Sequence, residues 1–241
     1  LLLVEAGVGL ADIADPVHRL GGMFTNVLQP ALDEDETAVR RVEKLGFSPA
    51  DVRNVVLTHM DLDHAGGLSD FPEAVVHVTR SEKRAAFARP SRLERERYRY
   101  RPVQWAHRPR FETYEPEGEP WFGFAAVRQL RGLPPEVLLV PLTGHSRGHS
   151  AVAVQSGGRW LLHCGDAYFH EDEVDPDHPG CPPLLTLFQN VVAFDRGRMR
   201  HNKRRLRELV RSHADEVDVF SAHDETELLR LQGGTPRDAR A

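Results

Sequence analysis

Four side chains that can bind metal ions lie within one stretch of six residues, 59–64. They follow the pattern His59-x-Asp61-x-Asp63-His64, and a glycine pair comes soon after. In an extended chain alternate side chains point to one face, so the first three could converge, while His64 needs a turn to join them. Two ligand sets aimed at neighbouring points are typical of a metal pair about 3.5–4 Å apart. Imidazole and carboxylate ligands together favour zinc, iron or manganese over calcium or magnesium.

A simpler interpretation is a polar loop whose aspartates cap a helix that begins near Ala65. Capping accounts for one aspartate, but not for two histidines that flank both aspartates directly after an apolar strand. A metal pair also needs more than four ligands, and further candidates occur at the ends of predicted strands. They are His149 in TGHSRGH, Asp166 in HCGD and His223 before Asp224. We therefore expect a metal site assembled from distant parts of the chain.

Short apolar runs bounded by turn residues predict the strands that precede these side chains. The predicted strands cover residues 1–5, 54–58, 74–79, 137–142, 151–155, 160–164 and 217–221. Apolar residues at helical spacing predict helices over residues 37–45, 81–87 and 198–212. Strands and helices in this order, with metal-capable residues at strand ends, predict a single α/β domain over residues 1–241.

With these four motifs in this order, the sequence resembles the metallo-β-lactamase-fold hydrolase superfamily over nearly its whole length. THMDLDHAGG resembles the family's first metal motif, TGHSRGH the second, Gly165-Asp166 the third and Ala222-His223-Asp224 the last. VEAG, residues 4–7, is similar to the family's early Val-Asp-Thr-Gly turn. The resemblance implies a four-layer αββα sandwich with the metals at one edge, and an N-terminal strand that is missing here.

The resemblance also implies how the ligands are shared between two divalent metal ions. Metal one would be held by His59, Asp61 and His149, metal two by Asp63, His64 and His223, and both by a bridging Asp166. His145 falls where the family has a loop histidine that is not a ligand. Asp61 departs from the common histidine, and its carboxylate should shift the preference from zinc toward iron or manganese. Alternatively, Asp61 is too short to reach a metal, and only metal two is firmly held.

The resemblance implies a metal-dependent hydrolase. A metal pair that shares a hydroxide can attack a carbonyl or phosphoryl centre near neutral pH, and Asp63 or Asp166 would orient the metal-bound hydroxide and shuttle its proton. Asp166 favours the lactonase, thioesterase and phosphodiesterase branches over true β-lactamases. We expect an ester or lactone substrate, such as an N-acyl-homoserine lactone. Some lactonases of the family carry a tyrosine shortly after the bridging aspartate, and Tyr168 could have that catalytic role or simply pack.

Three other functions stay open. A glyoxalase-II-like thioesterase would bind glutathione through basic residues late in the chain, for which Lys203, Arg204 and Arg205 are candidates. A nuclease or phosphodiesterase would use a basic surface to track a phosphate backbone. A di-iron redox protein is conceivable because Asp61 adds a carboxylate to the ligand set.

The segment between residues 80 and 110 bears on the second alternative, because arginines outnumber acidic residues there and aromatic residues are interleaved. Residues 90–120 have no clean period, which predicts an excursion from the core. As a lid or dimer-forming arm, this excursion would shape an apolar pocket through Trp105, Phe111, Trp121 and Phe122. The formal charge of −5 favours this role over nucleic-acid binding.

Composition limits the remaining choices. The 241 residues include only two cysteines, Cys164 and Cys181, which we expect to be buried thiols in a reducing, cytoplasmic compartment. Apolar runs are far shorter than the roughly 20 residues that a bilayer requires, so no membrane partner is expected. The chain opens without the basic region of a signal peptide. The expected partner is a small ester, lactone or thioester, and a homodimer is left open.

Overall fold

The computed structural model describes residues 1–88 and 95–233 of the 241-residue chain. The chain falls into two compact units, Leu1–Glu115 and Pro116–Ala241. Each unit has its own sheet, its own helices and its own hydrophobic core. The α/β class predicted from the sequence is therefore confirmed, while the single-domain organisation stays a prediction.

The first unit is built on a sheet of four parallel strands in the order β1-β2-β3-β4. The strands are β1 (Leu2–Val4), β2 (Asn54–Val56), β3 (Val75–Thr79) and β4 (Arg110–Tyr114). Valines predominate in β2 and β3, where branched side chains suit an almost continuously buried strand. Because the strands are parallel, the loops that follow β1 and β2 begin at the same edge of the sheet.

Helices occupy the connections of the first unit. They are α1 (Leu10–Ala14), α2 (Pro16–Arg19), α3 (Ala38–Lys44) and α4 (Arg80–Phe87), with a π-helix at Phe24–Leu28 and 3-10 helices at Glu34–Glu36, Pro49–Asp51, Gly66–Asp70, Arg95–Tyr98 and Pro102–Trp105. The helix α4 begins where the Thr79 hydroxyl accepts a hydrogen bond from the backbone N–H of Glu82. The predicted helices over residues 37–45 and 81–87 are confirmed to within one residue at each end.

Residues 95–120 differ from the excursion expected from the sequence. The strand β4 pairs with β3, and Tyr100 and Trp105 are only 5% and 6% exposed within the core of the first unit. The Phe87 ring lies 5.6 Å from the rings of both Trp105 and Phe111. These aromatic side chains pack one by one on α4 or the sheet, so they do not recur at the regular spacing that would predict a helix or a strand. The part of the predicted segment at residues 89–94 lies outside the described residues.

The second unit contains a six-stranded sheet in the order β10-β9-β8-β7-β6-β5. The strands are β5 (Glu119–Trp121), β6 (Phe124–Gln129), β7 (Val137–Pro141), β8 (Ser150–Ser156), β9 (Arg159–His163) and β10 (Val217–Phe220). Strand β8 is antiparallel to β7 and β9, and β10 is parallel to β9. The strands β7, β9 and β10 therefore point the same way, so the three loops after them begin at one edge.

The helices of the second unit are α5 (Pro183–Val192), α6 (Arg196–His213) and α7 (Glu225–Leu231). The helix predicted over residues 198–212 is confirmed as α6, which buries Leu206 and Leu209 in the core of this unit. The helix α5 is not among the helices predicted from the sequence, although Leu184, Leu187, Phe188 and Val191 recur at helical spacing after the proline-rich stretch. Within residues 1–88 and 95–233, no helix has the length and hydrophobicity needed to cross a membrane.

Candidate metal centre

The first-motif loop, residues 58–65, turns sharply after β2 instead of continuing as an extended chain. The carbonyl of Asp61 accepts hydrogen bonds from the backbone N–H groups of His64 at 3.0 Å and Ala65 at 2.9 Å. The turn brings the imidazole rings of His59 and His64 to a centroid distance of 4.0 Å. Both histidines are almost fully buried. The loop's own backbone therefore makes the turn that His64 requires.

The glycine pair after this loop permits a close approach of two backbones. A Cβ atom on Gly67 would lie 2.3 Å from the Ala6 carbonyl oxygen, and one on Gly66 would lie 2.0 Å from Oδ2 of Asp12. The Gly67 N–H donates a hydrogen bond to the Gly7 carbonyl at 2.9 Å. Only glycine fits at these two positions, so the pair lets the first motif pack on the turn that follows β1.

Glu5, in that turn, orients the first motif and is not among the site residues predicted from the sequence. Its Oε1 accepts the backbone N–H of Thr58 at 2.6 Å, and its Oε2 lies 3.0 Å from Nδ1 of His64. A histidine that donates Nδ1–H to a carboxylate keeps its lone pair on Nε2, as metal-binding histidines commonly do. Glu5 has a backbone φ of +65°, which is uncommon for residues other than glycine. Such backbone conformations cluster at functional sites. The similarity of VEAG to the family's early turn is the signal that points to it.

We expect Glu5→Gln to weaken metal binding by about 10–100-fold, the usual effect of losing a carboxylate that orients a metal-bound histidine. Glutamine keeps the size of the side chain but removes the negative charge beside His64. Competition with a chromogenic chelator measures the affinity. The matched control is Glu73→Gln, which changes an exposed carboxylate of the same unit. Equal affinities for the two variants would contradict the orienting role of Glu5.

Asp61 forms an ion pair with Arg99 inside the first unit. Nη1 of Arg99 lies 2.5 Å from Oδ2 of Asp61, and Nε2 of His59 lies 3.4 Å from the same oxygen. Burial opposes the charge on Arg99, but Asp61, together with Tyr100 and Glu82 nearby, outweighs burial and raises the pKa of Arg99. Arg99 therefore stays a cation beside the first motif. Asp63, in the same loop, is half-buried.

In the second unit, the Asp166 carboxylate lies between two histidines. Its Oδ2 is 3.3 Å from Nε2 of His145, and its Oδ1 is 3.2 Å from Nε2 of His223. The Phe169 ring stacks on His223 with a centroid distance of 5.4 Å and lies 5.9 Å from His145. One carboxylate that presents an oxygen to each of two imidazoles has the donor arrangement of a bridging metal ligand.

The second-motif histidine near this carboxylate is His145, which differs from the ligand assignment of His149 made from the sequence. Nδ1 of His149 lies 3.1 Å from the Leu142 carbonyl oxygen, and its Nε2 accepts the backbone N–H of Asp166 at 3.0 Å. Both ring nitrogens of His149 thus face backbone groups, whereas His145 faces the side-chain carboxylate. The geometry of this unit favours His145 as the ligand. Both histidines belong to one motif, so spacing alone could not separate them.

Tyr168 is fully buried, and its hydroxyl donates a 2.7 Å hydrogen bond to Oε1 of Glu227. Glu227 also accepts hydrogen bonds from the backbone N–H and the hydroxyl of Ser221. Burial, together with Cys164 and Glu227 nearby, raises the pKa of Tyr168 well above its usual value, so the hydroxyl stays protonated. These bonds join the loop after β9 to the loop that leads to His223. They correspond to the packing role that the sequence left open beside a catalytic one.

Lys203 supports the loop that carries Phe169 instead of facing solvent. Its Nζ forms a buried ion pair with Oε2 of Glu173 and a hydrogen bond to Oε1 of Gln189. Oε1 of Glu173 accepts the backbone N–H of Phe169 at 3.0 Å. Arg205, the third candidate for glutathione binding, lies 4.1 Å above the ring of Phe124. These contacts disfavour a glutathione site built on the late basic residues.

The two cysteines are free thiols, and Cys164 is fully buried as expected. Burial, with Glu227 nearby, raises the pKa of the Cys164 thiol well above its usual value. A metal binds the thiolate and not the thiol, so Cys164 is a packing residue although it precedes Asp166 by two positions. Cys181 is partly exposed.

The donors of both units suit a transition metal. Nδ1 of His59 lies 2.9 Å from the Thr58 hydroxyl, and Nδ1 of His64 faces Glu5, so each ring can offer Nε2 as a ligand. The second unit has two imidazoles around one carboxylate of its own. Imidazole nitrogen and carboxylate oxygen are common ligands of zinc, iron and manganese. The residues present therefore fit the metal that the sequence motifs predict.

Similarity to known proteins places the chain in a family. Residues 27–217 match the metallo-beta-lactamase superfamily. A probable metallo-hydrolase of Mycobacterium tuberculosis is 46% identical over 224 residues, which cover 93% of this chain and 71% of the relative. The N-acyl homoserine lactonase AttM of Agrobacterium fabrum is 40% identical over 85 residues, which cover 35% of this chain and 32% of AttM.

The fold agrees with the sequence comparisons. A solved N-acyl homoserine lactone hydrolase, with the product N-hexanoyl-L-homoserine bound at its catalytic metal centre, is similar with a TM-score of 0.65. The similarity covers 95% of this chain and 78% of the solved chain at 20% identity, so it concerns the fold alone. The chain therefore belongs to the metallo-beta-lactamase superfamily and is related to its metallo-hydrolases.

Proposed function

We propose that this protein is a metal-dependent hydrolase of ester or lactone bonds, with N-acyl-homoserine lactones as its substrate class. The observation that carries the proposal is the Asp166 carboxylate, which presents one oxygen to His145 and the other to His223. This donor arrangement occurs in a chain of a superfamily with metallo-hydrolase members. The lactone substrate is supported by the name of AttM and by the product bound in the similar solved structure.

We further propose a shared set of metal ligands, on the basis of the family motifs and the contacts within each unit. One ion would be held by His59, Asp61 and His145, a second by Asp63, His64 and His223, and both by Asp166. Zinc is expected first, and iron or manganese are the alternatives that Asp61 favours. When bound, such ions lower the pKa of water to about 7 and polarise a carbonyl oxygen.

The side chains have separate tasks in the proposed reaction. Water adds to the lactone carbonyl carbon, and the ring C–O bond breaks to give a hydroxyl group and a carboxylic acid, which releases its proton to solvent near neutral pH. Asp63 or Asp166 would accept a proton from the attacking water and return it to the departing oxygen. Glu5 holds His64 in one orientation, and Phe169 packs against His145 and His223. These contacts hold the proposed ligands in place before substrate binds. Reacting groups that are positioned in advance supply much of an enzyme's rate enhancement.

Metal analysis combined with a substrate panel tests the proposal on one preparation. We expect about two transition-metal ions per chain and faster hydrolysis of N-acyl-homoserine lactones than of thioesters or phosphodiesters. Chelation should abolish the activity, and added zinc or manganese should restore it. Lactone hydrolysis that survives complete removal of metal would contradict the proposal. A preference for a thioester or a phosphodiester would keep the metal-dependent hydrolase and replace the substrate class.

The same preparation tests the remaining alternatives. A protein that is active without iron is not a di-iron redox enzyme. A homodimer stays a prediction, which light scattering of the purified protein would test directly.

A further inference from the structure

We propose that Arg99 is a positioning residue of the metal site, and that the Asp61–Arg99 ion pair as a whole takes the place of one neutral histidine ligand. The inference rests on the proposed metal site and concerns the position at which this chain departs from its family. It assigns a role to Arg99, a residue of the arginine-rich segment that lies outside the four metal motifs.

The contact between the two side chains is short and shielded from water. Nη1 of Arg99 lies 2.5 Å from Oδ2 of Asp61, and the two side chains are only 8% and 13% exposed. Charges in such surroundings are weakly screened, so each strongly affects the other and any charge nearby. Nε2 of His59 lies 3.4 Å from the same Asp61 oxygen. Arg99 is therefore close enough to influence a cation bound by the first motif.

A single buried carboxylate holds the two segments of the pair together. Oε1 of Glu82 accepts the backbone N–H of Met60 at 3.0 Å and the hydroxyl of Tyr100 at 3.0 Å. Met60 precedes Asp61, and Tyr100 follows Arg99. Glu82 is fully buried. Because both neighbours bind one oxygen atom, the two chain segments that carry Arg99 and Asp61 cannot separate without breaking a buried hydrogen bond, so the fold keeps the two side chains within reach of each other.

The Asp61–Arg99 ion pair balances the charge of the proposed ligand set. Histidine at position 61 would be a neutral ligand, whereas aspartate adds a negative charge to the set that already contains Asp63 and Asp166. Excess negative charge makes a bound metal a weaker Lewis acid. Arg99 cancels that charge while Asp61 still offers an oxygen atom. The reverse also follows, because Arg99 beside a neutral histidine would lose the negative charge of Asp61 and would repel a divalent ion more strongly.

A double-mutant cycle on metal binding tests this inference. We expect Asp61→His alone, although it restores the family residue, to weaken the binding of one zinc equivalent by at least about tenfold, because Arg99 then repels the ion. Arg99→Met alone should strengthen zinc binding. The double variant Asp61→His with Arg99→Met should return to within about threefold of the unaltered protein, since the charges again balance. Zinc titration of the metal-free protein by calorimetry, with chelator competition, measures each affinity.

The controls separate charge compensation from simple packing. Arg99→Lys keeps the positive charge and should bind zinc like the unaltered protein. Arg101→Met removes an arginine two positions away, whose guanidinium donates to the His18 and Arg19 carbonyls, and should leave zinc binding unchanged. Circular dichroism of the metal-free variants checks that each is folded. If a variant of the first cycle does not fold, a second cycle with Asp61→Asn and Arg99→Gln tests the same pair. These replacements are close in size to the original side chains.

The outcomes distinguish this inference from the proposed function. If the unaltered protein binds no transition metal, both are overturned. If it binds two ions and hydrolyses lactones, but Asp61→His binds zinc as tightly as before, the role of Arg99 alone is overturned. The same holds if Arg99→Met fails to restore zinc binding in the Asp61→His background.

Discussion

Alanine in place of His145 is expected to remove one metal ion and to lower kcat/KM for lactone hydrolysis by more than about 100-fold, the upper end of the loss seen when a residue merely orients a metal ligand. The reason is the position of His145 Nε2, 3.3 Å from the Asp166 carboxylate oxygen. His149→Ala should keep both ions, because the ring nitrogens of His149 bind the Leu142 carbonyl and the Asp166 N–H. Metal content and kcat/KM measured for both variants give the comparison.

The variants His145→Ala and His149→Ala are matched controls for each other, since each removes a buried histidine from the same motif. His178→Ala, at an exposed position, controls for the loss of an imidazole as such. If His149→Ala loses a metal ion and His145→Ala does not, the ligand assignment from sequence is right. The assignment from the geometry of the second unit is then wrong.

The sequence predicts the strands and helices whose residues follow a simple period or form a compact apolar run. The strands β2 and β3 and the helix α6 belong to this group, and each lies close to its predicted limits. Strands β4 and β5 do not, because they lie among arginines, prolines and single aromatic residues that pack one by one. Their packing depends on partners elsewhere in the chain, which no local pattern records.

The residues of the candidate site also fall into two groups, those that the sequence predicts and those that it does not. The sequence predicts candidate ligands that cluster, such as Asp63 and His64, or that follow an apolar strand, such as Asp166. It does not identify residues that act through a partner far away in the chain. Glu5 lies 59 positions before His64, and Arg99 lies 38 positions after Asp61, so only the fold brings these pairs together. Residues that contact candidate ligands from distant parts of the chain are therefore harder to predict from sequence than the candidate ligands themselves.

The buried ion pair between Lys203 and Glu173 should have a large effect on the stability of the second unit. Lys203→Met is expected to lower the free energy of unfolding by about 3–5 kcal/mol, the usual cost of leaving one member of a buried ion pair alone. Side chains of Lys203 and Glu173 are only 11% and 7% exposed, so water cannot replace the lost ammonium group. Urea denaturation of the metal-free protein measures the change.

A second substitution shows whether an uncompensated charge causes the loss. Lys203→Met with Glu173→Gln removes both charges, keeps an acceptor for the Phe169 N–H and should recover most of the stability, because no charge is then buried alone. Arg204→Met, at the exposed neighbouring position, should change stability little. A loss in Lys203→Met no larger than in Arg204→Met would contradict the structural role of the pair. Glu173 also binds the backbone of Phe169, which packs on His145 and His223, so Lys203→Met should lower metal affinity as well.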